Sequence, residues 1–193
     1  MKKFAQAIRV ITVPTILFFV LLLLTKFLSD SIFVTLEEFL ITLFLICVVP
    51  ILAYLVAFIL RKVKKETRDD GRKRERGLAF IFSIVGYTLA FILGLVLKFN
   101  NNAMIIVATY FFSSIIVTIP NLFKVRASGH AAGMFGPMIV VCYFFGWIYL
   151  IPCLILYGLT FWASIYLDRH KVTDLILGTI CVSLAFVIAI LIF

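Results

Sequence analysis

The chain has two histidines in 193 residues, and each stands beside groups that could give it chemical work. His170 is followed four residues later by Asp174. On a helix, residues four apart share one face, so a carboxylate there can hold the imidazole in one tautomer. An imidazole held in that way is prepared for nucleophilic attack or for acid/base work. Arg169 and Lys171 flank it. The second histidine, His130, ends the string Ser128-Gly129-His130, just after Lys124 and Arg126. A third polar segment, Arg61 to Arg76, carries nine Lys/Arg and four acids.

These segments must be positioned by what lies between them, and that is almost wholly apolar. Hydrophobic residues make up 64% of the chain, and the mean hydropathy is +1.20. A soluble globular domain is excluded. Apolar runs of about 20 residues suffice to cross a hydrocarbon core of roughly 30 Å. They are continuous rather than alternating, so helices and not a barrel are expected. The sequence predicts one all-helical membrane domain over residues 1–193, with spans near 10–28, 39–60, 78–98, 103–122 and 172–192. Two further spans fill the stretch from Ala131 to Leu167, divided around Tyr149 to Pro152. Pro50 is expected to kink the second span.

Polar loops are then expected at about 61–77, 123–131 and 163–174. An even number of spans separates each from the next, which brings all three, and the N-terminus, to one face. That face holds sixteen of the eighteen Lys/Arg, leaving Lys26 and Lys98 for the other. By the positive-inside rule it is cytoplasmic. The four cysteines, Cys47, Cys142, Cys153 and Cys181, sit inside apolar runs without metal-binding spacing, and no metal or cofactor is expected.

Lys/Arg, then Ser-Gly-His, then His-x-x-x-Asp, on three loops of one face, resembles the type 2 phosphatidic acid phosphatase superfamily. These are membrane lipid phosphatases related to vanadium haloperoxidases, with the motifs K-x6-R-P, P-S-G-H and S-R-x5-H-x3-D. The resemblance covers roughly residues 61–180. Lys65 and Arg72 satisfy K-x6-R, with Lys73 in place of Pro and with Arg74 and Arg76 close by. Ser128-Gly129-His130 is intact, with Ala127 replacing Pro, and His170 and Asp174 fit H-x3-D. Ser164 stands where the family carries a phosphate-binding Arg, a role that Arg169 or Arg126 would have to take over.

The resemblance implies a helical bundle of six or seven transmembrane helices and a metal-independent phosphatase acting on a lipid phosphate or diphosphate. It implies that His170 attacks phosphorus to give a phosphohistidine, Asp174 orients it, and His130 protonates the leaving oxygen and then activates water. Lys65, Arg72, Ser128 and Gly129 would bind the phosphoryl oxygens, at the start of the helix that follows. The partners implied are the bilayer and its lipid phosphates. Nucleic acid is not expected, because the basic segment has no interleaved aromatics and abuts a membrane. A channel or transporter finds no ionisable residue deep in a span. The competing expectation is a catalytically impaired relative that binds or moves anionic lipids, which Ser164 favours.

Overall fold

The computed structural model describes residues 1–64 and 67–193, with all their side chains except those of Lys64, Arg68, Asp69 and Arg72. Among these residues the chain is helical throughout, without a strand. The elements are α1 (Lys2–Ile11), α2 (Pro14–Leu28), α3 (Leu36–Leu43), a π turn (Phe44–Val48), α4 (Val49–Lys64), α5 (Arg68–Val96) and α6 (Asn101–Leu122). They are followed by α7 (Gly129–Phe145), a 3-10 turn (Trp147–Tyr149), α8 (Leu150–Tyr166) and α9 (Val172–Ile192).

Among the described residues, five helices are long and apolar enough to cross a membrane: Leu36–Val63, Lys73–Val96, Asn101–Leu122, Trp147–Tyr166 and Val172–Ile192. Counting α1 and α2, a pair bent by 47°, as one span makes six. The fifth expected span corresponds to α7, whose 17 residues reach about 25 Å, short of a full hydrocarbon core. Large apolar side chains stay exposed along the outer helix faces, such as Leu55 and Phe58 on α4 and Ile180, Leu184 and Leu191 on α9. Such surface fits a multi-pass membrane protein, in which lipid covers it.

Proline chemistry explains two of the breaks. Val13 precedes Pro14 and is extended, with φ −58° and ψ 131°, because a proline ring crowds the preceding residue out of the helical region. Pro14 then opens α2, where its missing N–H costs nothing. Pro50 does not end its helix. The chain widens into the π turn just ahead of it and continues, so Leu36–Val63 remains one span. Gly86 of α5 packs directly against the carbonyl oxygen of Leu45 in that turn, an approach that a Cβ would block.

Helix α6 lies at the centre, with α9 along it and along α7. Ile106, Val107 and Tyr110 of α6 pack with Phe18, Leu21 and Leu22 of α2. At the end of the bundle where α6 begins, the Glu38 carboxylate accepts the backbone N–H groups of Val34 (2.8 Å) and Asn100 (2.8 Å). The Asn100 and Asn102 amides donate to the Ser31 carbonyl. That end is closed by hydrogen bonds; the opposite end holds the histidines.

Two boundaries differ from the sequence expectation. The charged stretch expected as a loop over 61–77 is mostly helix, since α4 runs to Lys64 and α5 starts at Arg68. Arg, Lys and Glu are good helix formers, and the Thr67 hydroxyl caps α5 by accepting from the Asp70 N–H. The division between the fifth and sixth spans falls at Gly146, not around Tyr149 to Pro152. Gly146 has φ +100°, a conformation open to glycine, whereas Pro152 lies in the first turn of α8, where proline is tolerated.

Candidate active site

Ser128 is the N-cap of α7: its Oγ accepts the Ala131 N–H at 3.2 Å, and its own N–H donates to the Asp174 carbonyl at 2.9 Å. The start of α7 is thereby tied to the start of α9. Gly178, one turn along α9, sits so close to the Ser128 carbonyl oxygen that a Cβ there would collide with it. Gly178→Ala should therefore push the first turn of α7 away, and His130 with it. A displacement of about 1 Å in a catalytic group costs on the order of 10²-fold in rate. For a cavity that turns over a substrate, the expected result is such a fall in kcat with the unfolding midpoint only modestly reduced, measured in parallel on the purified protein.

The second loop is shaped by the end of α8. Leu167 and Arg169 donate backbone N–H bonds to Ala163 and Ser164, and Asp168 adopts φ +50°, a left-handed position that aspartate enters more readily than most residues. This turn delivers Arg169 and His170 to the cavity. His170 thus lies ahead of α9 rather than on it, so the expected shared helix face with Asp174 is not formed. Asp174 is instead the third residue of α9; it is 5% exposed, and its carboxylate accepts the Lys171 N–H at 3.2 Å. Toward His170 it acts through its charge.

The imidazoles of His130 and His170, forty residues apart in sequence, face one space with ring centroids 6.4 Å apart and planes within 11°. His130 Nε2 is buried and has no hydrogen-bond partner among the described residues. Both rings line a cavity of about 600 Å³, which also takes in Arg9, Glu75, Arg76 and Arg169. Deeper in, Ser83, Tyr87, Tyr110, Ser113 and Ser114 give its wall hydroxyl groups, and that of Tyr110 is unpartnered among the described residues.

The electrostatic setting of His170 is mixed. Burial lowers its pKa from the ordinary histidine value, and the charges of Arg9, Arg126 and Arg76 lower it further, while Asp174 raises it. The uncharged ring, the form able to attack an electrophile, is the one favoured. First-turn N–H groups of α7, at Gly129 and His130, add donors that a helix leaves unpaired.

Of the residues singled out in the sequence, Gly129, His130, Arg169 and His170 line the cavity. Arg126 reaches His170 through its charge. Ser128 and Asp174 serve as caps that hold the two loops together, and Ser128 is not part of the cavity wall. Lys65 lies outside the described residues, as does the side chain of Arg72. Among the described side chains of that segment, Arg76 is the cation that lines the cavity. Sequence reasoning missed Arg9, which it assigned only to the basic N-terminus. Its sole signal was a lone arginine on the last turn of an amphipathic stretch. Among the described residues, no group of three or more His, Cys, Asp or Glu could hold a metal ion. Compared with family models, curated proteins and solved structures, the chain matches none.

Proposed function

We propose that this protein is an integral membrane phosphatase that hydrolyses a lipid phosphate or diphosphate through a phosphohistidine, on a bundle of the type 2 phosphatidic acid phosphatase kind. The observation that carries this reading is the convergence of the chain's two histidines across 6.4 Å in a cavity lined by arginines. A ring nitrogen of His170 attacks phosphorus as the bond to the lipid oxygen breaks. Burial and then the charge of Arg9 hold the His130 pKa down to about 3, so His130 takes up its proton together with the anionic substrate. It then gives that proton to the lipid oxygen, and the lipid alcohol leaves. Water then attacks the phosphohistidine, losing a proton to His130; the P–N bond breaks and inorganic phosphate departs. The arginines balance charge on the transferring group, where fixed donors contribute most.

The hydroxyl-lined inner wall suits a phosphate carried on a polyol, such as glycerol, better than one on a bare prenyl chain. Placement of the site on the cytoplasmic face belongs to the same proposal and rests on the bias of basic residues. The test is phosphate release in detergent micelles containing chelator, from a phosphatidic acid, a phosphatidylglycerol phosphate and a prenyl diphosphate. Release is expected from the glycerol-based substrates first, with inhibition by vanadate. Absence of release from all three would defeat the reading.

The impaired-relative reading keeps one observation in its favour: position 164 brings no cation, and Ser164 is buried with its hydroxyl unpartnered among the described residues. Binding of phosphatidic acid vesicles without turnover is the outcome it expects.

A further inference from the structure

We infer that Arg9, carried in by the N-terminal helix, is a phosphate ligand of the cavity and takes the place of the cation that Ser164 does not supply. The inference rests on reading this cavity as a phosphate site.

Helix α1 is seated on the end of α8. Ala5 and Ile8 close over Ala163, with Trp162 and Leu167 packed against them, and Phe4 lies against the Trp162 ring. Ser164, the residue after Ala163, has no exposure and lies outside the cavity wall, so it offers the cavity no cation. Helix α1 presents Arg9 in its last turn. Arg9 lines the cavity with both histidines, and its charge is felt by each of them.

Nothing in the described structure occupies the Arg9 fork fully. Its Nε is buried from solvent and has no hydrogen-bond partner among the described residues. Burial, and then the charge of Arg169, lower the Arg9 pKa, although Glu75 also stands in the cavity wall. A half-buried guanidinium beside a second one is a poor arrangement for an empty pocket. It is a good one for a tetrahedral dianion, which an arginine fork can grip through two parallel N–H groups. Residues that raise the energy of the free protein and are satisfied only by ligand are a recurrent feature of functional sites.

The experiment is titration calorimetry of orthovanadate and of inorganic phosphate into the full chain in detergent, for the wild type, Arg9→Gln and Lys2→Gln. Arg9→Gln should weaken anion binding about tenfold or more, while Lys2→Gln, on the same helix, stays within about twofold. Without anion, Arg9→Gln should unfold at the same temperature as the wild type or higher, since it relieves repulsion from Arg169 and the desolvation of a charge. A purely structural Arg9 predicts the reverse: a lower unfolding temperature with unchanged anion affinity. That result overturns the inference, as does a wild type that binds neither anion. Arg9-dependent binding in a protein that releases no phosphate from any lipid leaves this site standing and removes the phosphatase reading instead.

Discussion

In the proposed phosphatase, His170→Ala should abolish turnover, with a fall of about 10⁴-fold or more in phosphate release, because it removes the group assigned to form the covalent intermediate. Anion affinity should persist, since the arginines and the first turn of α7 remain. Acid-labile, alkali-stable phosphate should appear on wild-type protein quenched during turnover and be missing from the variant. The wild-type pH profile carries a further expectation. Attack needs the neutral ring, and the His170 pKa lies below the ordinary histidine value. The acid limb of kcat/KM that belongs to this ring should therefore lie below that value. Arg9, Arg76 and Arg126 push the pKa down and Asp174 pushes it up. Removing one of the arginines should raise the pKa and move the limb to higher pH; Asp174→Asn should move it lower. The substrate's own ionisation enters each profile equally, so the displacement between variants is what counts.

The second large effect concerns His130 and should depend on the leaving group. A lipid alkoxide is a poor leaving group and needs a proton as the P–O bond breaks, a service worth about 10²–10⁴-fold. A nitrophenolate leaves without one. His130→Gln should thus slow hydrolysis of a phosphatidic acid by about 10³-fold. With p-nitrophenyl phosphate, formation of the phosphohistidine should be nearly unaffected, and a burst of nitrophenol should be followed by slow dephosphorylation, because water activation has also been lost. Equal losses with both substrates, and no burst, would mean that His130 supports the site without transferring protons. The buried Nε2, without a hydrogen-bond partner among the described residues, is the structural reason to expect transfer.

Much of the scaffold was legible because membrane physics leaves few options. Long apolar runs without water to satisfy their backbone must be helices, and their number decides which loops meet. The residues near 130 and near 170 were expected at one end, and the histidines do lie together. The parity behind that expectation counted α7 as a full span, which its 17 residues fall short of. The break at Pro14, inside the expected span 10–28, was not expected, although its cause is local: proline restricts its predecessor whatever surrounds it.

The site itself was legible in part. That Ser128 and Asp174 would matter could be read from their company, but their geometry could not. Ser128 caps a helix and Asp174 caps the next, a division set by where α7 and α9 begin. Charge alone marked 61–77 as a loop, yet helix propensity carried α4 and α5 into it, and so Arg76 came to face the cavity. Arg9 was beyond sequence reasoning for a plainer reason. Its role depends on α1 folding back 47° from α2 to lie on α8, more than 150 residues further along the chain. The sequence by itself determined a helical membrane frame and the end at which its histidines gather. Only packing between distant helices decided which arginines join them, because that depends on helix ends, close glycine contacts and turns whose outcome no local pattern encodes.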